Sequence, residues 1–153
     1  MKQILIKQGR IEVENVPAPQ VEKGALLVKV KRSCISAGTE MSALQSAAQP
    51  IWKRALKNPG AVKTALKMVA DRGFAHTKSV VQGKISEGNP TGYSAAGTVL
   101  EVGEGIYDLT PGDRVACAGA QCANHAEIIR VPRNLTVKIP SQNIDFASAS
   151  SVT

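Results

Sequence analysis

At 153 residues the chain is about one domain long, and its 43% apolar content is ordinary for a globular protein that buries a core without staples. No apolar run reaches the roughly 18 residues needed to cross a bilayer, and the start, MKQILIKQGR, lacks the long apolar stretch of a secretory leader. Three cysteines (Cys34, Cys117 and Cys122) form an odd, sparse set that argues against a disulfide framework and for free thiols in a cytoplasmic protein.

In chain order, residues 4–7 and 11–16 alternate apolar and polar side chains around a Gln8-Gly9-Arg10 turn and predict a hairpin. Pro17 and Pro19 end the pairing, because proline has no amide hydrogen to give to a ladder. The next strand, 25–33, places Leu26, Val28 and Val30 on one face. The middle of the chain changes period. Asn58 is a capping residue ahead of Pro59, and Val62, Ala65, Leu66 and Val69 recur at helical spacing until Gly73. The flanking 52–58 and 74–84 read as helical too, so 41–89 is expected to be a helical insertion. It carries the charge: residues 41–86 hold eight basic side chains against Asp71 alone, an excess equal to the whole net charge of +7. A basic face on short helices is usually solvated. An anionic ligand is the next reading. Nucleic acid is disfavoured, because only Trp52 and Phe74 could stack on bases.

After residue 90 the β pattern returns. Residues 98–103 form a strand, Pro111-Gly112-Asp113 a turn into 114–119, and 125–132 and 134–140 two strands each closed by a proline. Short strands separated by turn signals predict a mainly β fold, a barrel or sandwich. The last residues, 145–153, read as a helix capped by Asp145 that does not finish, as if the chain were cut before a further domain.

The segment 95–116, with Gly97, Val102-Gly103 and Gly112-Asp113-Arg114-Val115, resembles the signature of medium-chain dehydrogenase/reductases. The flanks 25–40 and 125–140 agree. Gly97 suits close backbone packing, Gly103 and Gly105 a tight turn with positive φ, and Asp113 the acceptance of turn amides. The resemblance implies a GroES-like β-barrel over 1–140, interrupted by the basic helical insertion. Residues 141–153 then begin the connection to a Rossmann domain outside this chain. It implies an oxidoreductase that uses NAD or NADP, held mainly by that domain, since this chain has no Gly-x-Gly-x-x-Gly turn after a strand. The insertion is similar to that of two-part oxidoreductases from bacterial polysaccharide gene clusters, which points to a small-molecule substrate such as a sugar or nucleotide-sugar. A homo-oligomer of the full-length protein is compatible with this picture. The alternative is a non-enzymatic GroES-like module whose basic helices bind an anionic partner; a GroES-type co-chaperonin is disfavoured by the insertion.

Zinc members of the family bind a catalytic ion through a Cys-Gly-Thr-Asp-like loop and a Gly-His-Glu motif. Here the loop reads Ser36-Ala37-Gly38-Thr39-Glu40, with Ala37, or Ser36 after a one-residue shift, at the cysteine position. The second motif reads Gly92-Tyr93-Ser94, so tyrosine and serine replace the histidine and glutamate. Neither set suits zinc, which prefers thiolate or imidazole ligands. The four-cysteine structural lobe is reduced to Cys117 and Cys122, and their spacing to His125 matches no common metal site; a free, partly buried pair is expected. The resemblance implies zinc-independent catalysis, with Tyr93 as hydrogen-bond donor to a developing alkoxide and Thr39 as the hydroxyl that relays a proton. Ser36, Glu40 and Ser94 would shape the substrate cleft. His125 is expected to begin a strand as a surface or packing residue, and Cys34 to pack at a strand end.

Overall fold

The computed structural model describes residues 1–50, 53 and 59–151. Apart from Lys53, the helix expected over 52–58 and the Asn58 cap lie outside the described residues. The chain divides into two compact units, one of residues 1–5, 13–40 and 90–153, the other of residues 6–12 and 41–89.

The first strands are β1 (Lys2–Lys7) and β2 (Arg10–Asn15), joined by Gln8 and Gly9, both with positive φ. That is the backbone a two-residue hairpin turn needs to match the strand twist. They form a three-stranded sheet of order β2-β1-β4, where β4 is Asn89–Pro90.

The barrel unit is built on an antiparallel sheet of order β7-β3-β5-β6-β8. Its strands are β3 (Ala25–Ser33), β5 (Ser94–Val102), β6 (Arg114–Ala118), β7 (Ile128–Pro132) and β8 (Thr136–Lys138). Strand β5 starts at Ser94, four residues before the expected Thr98. Register shifts at Leu27/Val28 and Val30/Arg32 in the β3–β5 pair mark irregularities of the bulge kind, which bend a strand and sharpen its twist. Leu26, Val28, Val99, Val115 and Val131 are fully buried and form the centre of the core with Ile106, Leu109 and Ile129. Each contributes about 1.5–3 kcal/mol by leaving water.

Two glycines are fixed by sterics. A Cβ on Gly97 would stand 2.1 Å from the Lys29 carbonyl oxygen, and one on Gly103 2.0 Å from that of Glu22. Gly97 therefore does what its position in the signature implies. Gly103 differs from expectation: its φ is not positive, and close backbone approach excludes a side chain there, whereas Gly105 does take positive φ. Asp113 accepts the Thr110 amide at 2.9 Å and pairs with Lys138 Nζ at 2.7 Å, closing the turn into β6.

The insertion unit is helical. Helix α1 (Ala37–Ala48) begins inside the loop expected at 36–40. Helix α2 (Pro59–Arg72) starts on Pro59 as expected, and α3 (Phe74–Glu87) follows across Gly73. The apolar spacing is correct as to helix but does not produce a buried face. Leu66 is 65% exposed, Phe74 72% and Val62 36%, and Val69 is half-buried. The last helix, α4 (Phe146–Ala149), is capped by Asp145, which accepts the Ser148 amide at 2.6 Å. None of the described helices is long and apolar enough to cross a membrane.

Candidate functional site

The loop residues gather around one histidine. Ser36 precedes the first turn of α1, and the turn closes on itself. Glu40 Oε1 accepts the Ser36 amide at 3.1 Å, and Ser36 Oγ donates to Thr39 Oγ1 at 3.2 Å. This resembles a capping box displaced by one residue, with the carboxylate favoured by the positive end of the helix dipole. Thr39 itself is exposed, and Glu40 is not: its side chain is 15% exposed and meets His125 Nε2 at 3.0 Å.

His125 is buried, as the packing alternative expects, but it does not begin a strand. It lies in the loop before β7, is 6% exposed, and has polar partners on both ring nitrogens. Nδ1 stands 2.8 Å from Ser33 Oγ, and Nε2 faces Glu40. Its backbone is held as firmly: its amide donates to Thr91 O at 2.8 Å, and its carbonyl accepts from Ile4 N at 2.9 Å. Gly92 makes room for it, since a Cβ there would stand 2.8 Å from the His125 nitrogen and 3.0 Å from two ring carbons. Beside it, Asn124 Oδ1 is buried and has no hydrogen-bond partner among the described residues. An unmet acceptor of this kind costs about 1–3 kcal/mol unless water or a ligand donates to it.

Tyr93 follows Gly92 and is half-buried; its carbonyl accepts the Gly119 amide at 2.8 Å. Ser94 opens β5 and turns away from solvent. It is 2% exposed, its Oγ donates to Ser150 O at 2.5 Å, and its carbonyl accepts the Cys34 amide at 3.0 Å. The structure thus brings Glu40 onto His125 and ties Ser36 and Thr39 to the same first turn of α1, with Tyr93 one residue from the glycine that packs on that ring. Ser94 serves as an anchor between β5 and α4.

Two hollows border these residues. One, of about 260 Å³, is lined by Lys2, Val30, Ser33, His125 and Glu127 among others. The second, about 330 Å³ and largely apolar, lies between β6, β8 and α4, with Ser94, Cys117, Leu135, Val137 and Ile139 on its wall. Burial pushes the Cys117 thiol up to about 11, so it stays protonated and unreactive at neutral pH. Cys34, Cys117 and Cys122 are all free thiols, and no cluster of three or more metal-ligating side chains occurs among the described residues.

No family model matches this chain, and no curated protein matches it in sequence. Solved structures match it in fold. The quinone oxidoreductase of Coxiella burnetii gives a TM-score of 0.66 at 16% identity, covering 99% of this chain and 40% of its own. The Escherichia coli quinone oxidoreductase in complex with NADPH gives 0.66 at 14%, covering 100% and 37%. An NAD-dependent alcohol dehydrogenase gives 0.65 at 15%, covering 99% and 43%. This chain has the GroES-like fold that these oxidoreductase structures carry over about two fifths of their length.

Proposed function

We propose that the chain is the substrate-side half of a nicotinamide-dependent oxidoreductase of the medium-chain type that works without zinc. The observation that carries this reading is the meeting of Glu40, from the turn that holds Ser36 and Thr39, and of Gly92, next to Tyr93, on His125 in a barrel whose fold is shared with oxidoreductases. The residues present do not fit a zinc ion. Ala37 has no donor atom, Ser94 Oγ is committed to Ser150 O, and Glu40 is committed to the Ser36 amide and His125.

NAD or NADP would be held by a doubly wound domain outside this chain and would supply hydride transfer at a substrate carbon. The residues here orient the substrate oxygen and manage its charge. Tyr93 is the proposed donor to a developing alkoxide, and Thr39 the exposed hydroxyl nearest the Glu40–His125 pair in sequence. The substrate class we favour is a sugar or nucleotide-sugar alcohol, from the similarity of the basic insertion to that of oxidoreductases in polysaccharide gene clusters. The test is steady-state kinetics of Tyr93→Phe in the full-length protein, which removes the hydroxyl and keeps the ring. Turnover should fall by about 10²–10³, the usual loss for one donor to a transition-state oxyanion. Unchanged turnover and KM would return Tyr93 to packing.

A further inference from the structure

We infer that Ser33, His125 and Glu40 form an acid–base triad whose working atom is Ser33 Oγ, and that the hollow in front of it receives the oxygen of an alcohol or carbonyl substrate. The inference rests on the oxidoreductase reading and supplies the proton acceptor that a zinc-free site needs.

The roles follow from what each group can donate. An ionised carboxylate only accepts, so Glu40 takes the Nε2–H of His125 at 3.0 Å. That leaves the lone pair on Nδ1, 2.8 Å from Ser33 Oγ, to accept the serine hydroxyl hydrogen. The serine oxygen is thereby made basic on the side that faces the hollow it lines with His125. Burial strengthens the arrangement: the histidine side chain is 4% exposed and that of Glu40 15%, so the carboxylate holds the ring in one tautomer with little competition from water. The ring cannot swing away, because Gly92 packs against it and the backbone is bonded on both sides. Ser33 is the last residue of β3, and the next amide, Cys34, is bonded to the residue after Tyr93. The hydroxyl therefore stands at the barrel end that carries the Tyr93 turn. The charged groups on the hollow's wall are Lys2 and Glu127, and the Lys2 amide donates to Glu127 Oε2 at 2.7 Å.

In the oxidative direction the substrate hydroxyl gives its proton to Ser33 Oγ while the Ser33 proton passes to His125 Nδ1. The oxidant would be the nicotinamide of NAD or NADP held outside this chain: the carbinol hydride would leave with its electron pair, and the O–H pair would become the second C–O bond. The products would be a carbonyl compound, a reduced nicotinamide and an imidazolium at His125 stabilised by Glu40, which would release its proton to water. Carbonyl reduction runs the same steps backwards.

Two measurements test this. In the first, nitrogen-detected NMR of the histidine rings in the 153-residue chain should place the His125 proton on Nε2 at neutral pH. A proton resident on Nδ1 alone would overturn the triad whatever the reaction. In the second, formation of reduced nicotinamide by the full-length protein is followed with cyclohexanol, D-glucose and UDP-glucose as probes. Ser33→Ala and His125→Gln should each lower kcat about 10²-fold with KM little changed, the lower range for loss of acid–base catalysis. Ser33→Thr, which keeps a hydroxyl, should retain most of the activity; a merely structural serine would not show that split. Wild-type kcat in Ser33→Ala would sink the triad alone. Failure of the wild-type protein to reduce nicotinamide with every probe would sink the oxidoreductase reading, and the catalytic role of the triad with it.

Discussion

The barrel unit and the helical unit use apolar residues in opposite ways. In the barrel, Leu26, Val28, Val99, Val115 and Val131 are removed from water entirely, and backbones approach so closely that only glycine fits at 97. In the insertion, Val62 and Leu66 recur with helical regularity and remain exposed among lysines, as does Phe74 at the start of α3. Periodicity reports the local backbone. Burial requires a partner surface, and within its own unit α2 finds little of one. The charge follows the same division: the +7 excess falls in 41–86, and the barrel segments are balanced. A balanced, close-packed unit is suited to hold a site in fixed geometry, and a basic exposed one to meet a charged partner.

The contrast can be broken first at glycine. Gly97→Ala drives a Cβ into the Lys29 carbonyl, a backbone atom that cannot yield, and should abolish cooperative folding or cost more than about 4 kcal/mol in urea denaturation. Gly83→Ala, in the interior of α3 with nothing within 4 Å of the added methyl, should instead stabilise by about 0.5–1 kcal/mol. Equal effects at the two positions would erase the distinction between the units. Leucine sharpens it next: Leu26→Ala should cost about 2–5 kcal/mol. Leu66→Ala should stay within about 0.5 kcal/mol by the same measurement.

The smallest effect concerns the turn before β6. Hydrogen bonds from Lys138 and from the Thr110 amide hold the Asp113 carboxyl below its ordinary value. A group lowered by folding contributes stability that is complete above its unfolded value of about 3.9 and is lost as pH falls through the folded one. Thermal unfolding should therefore show a loss below about pH 4 that is weaker in Asp113→Asn. An identical acid limb in that variant would assign the loss to other carboxylates.

Much of the fold was legible because its signals are local. The Gln8-Gly9 turn, the Pro59 helix start, the Asp145 cap and the Asp113 turn each depend on neighbours within a few residues, and each is where the pattern places it. The centre of the candidate site was not legible. Ser33 and His125 are 92 residues apart and His125 and Glu40 85, and no periodicity records such a meeting. One signal was available: Gly92, next to Tyr93, leaves space for a ring, though the sequence does not say whose. Ser94 was read as a cleft residue from its place in the motif. What folds it inward is the bond to Ser150, the residue that follows α4.

In the proposed oxidoreductase site, hydroxyls, a histidine and a carboxylate stand in place of zinc. The direct test is the rate of reduced-nicotinamide formation by the full-length protein before and after exhaustive dialysis against 1,10-phenanthroline. Ala37 offers no ligand and Ser94 and Glu40 are already bonded, so the rate should be unchanged by the chelator and by added zinc. Loss of turnover on chelation, restored by stoichiometric zinc, would assign the catalysis to a metal instead.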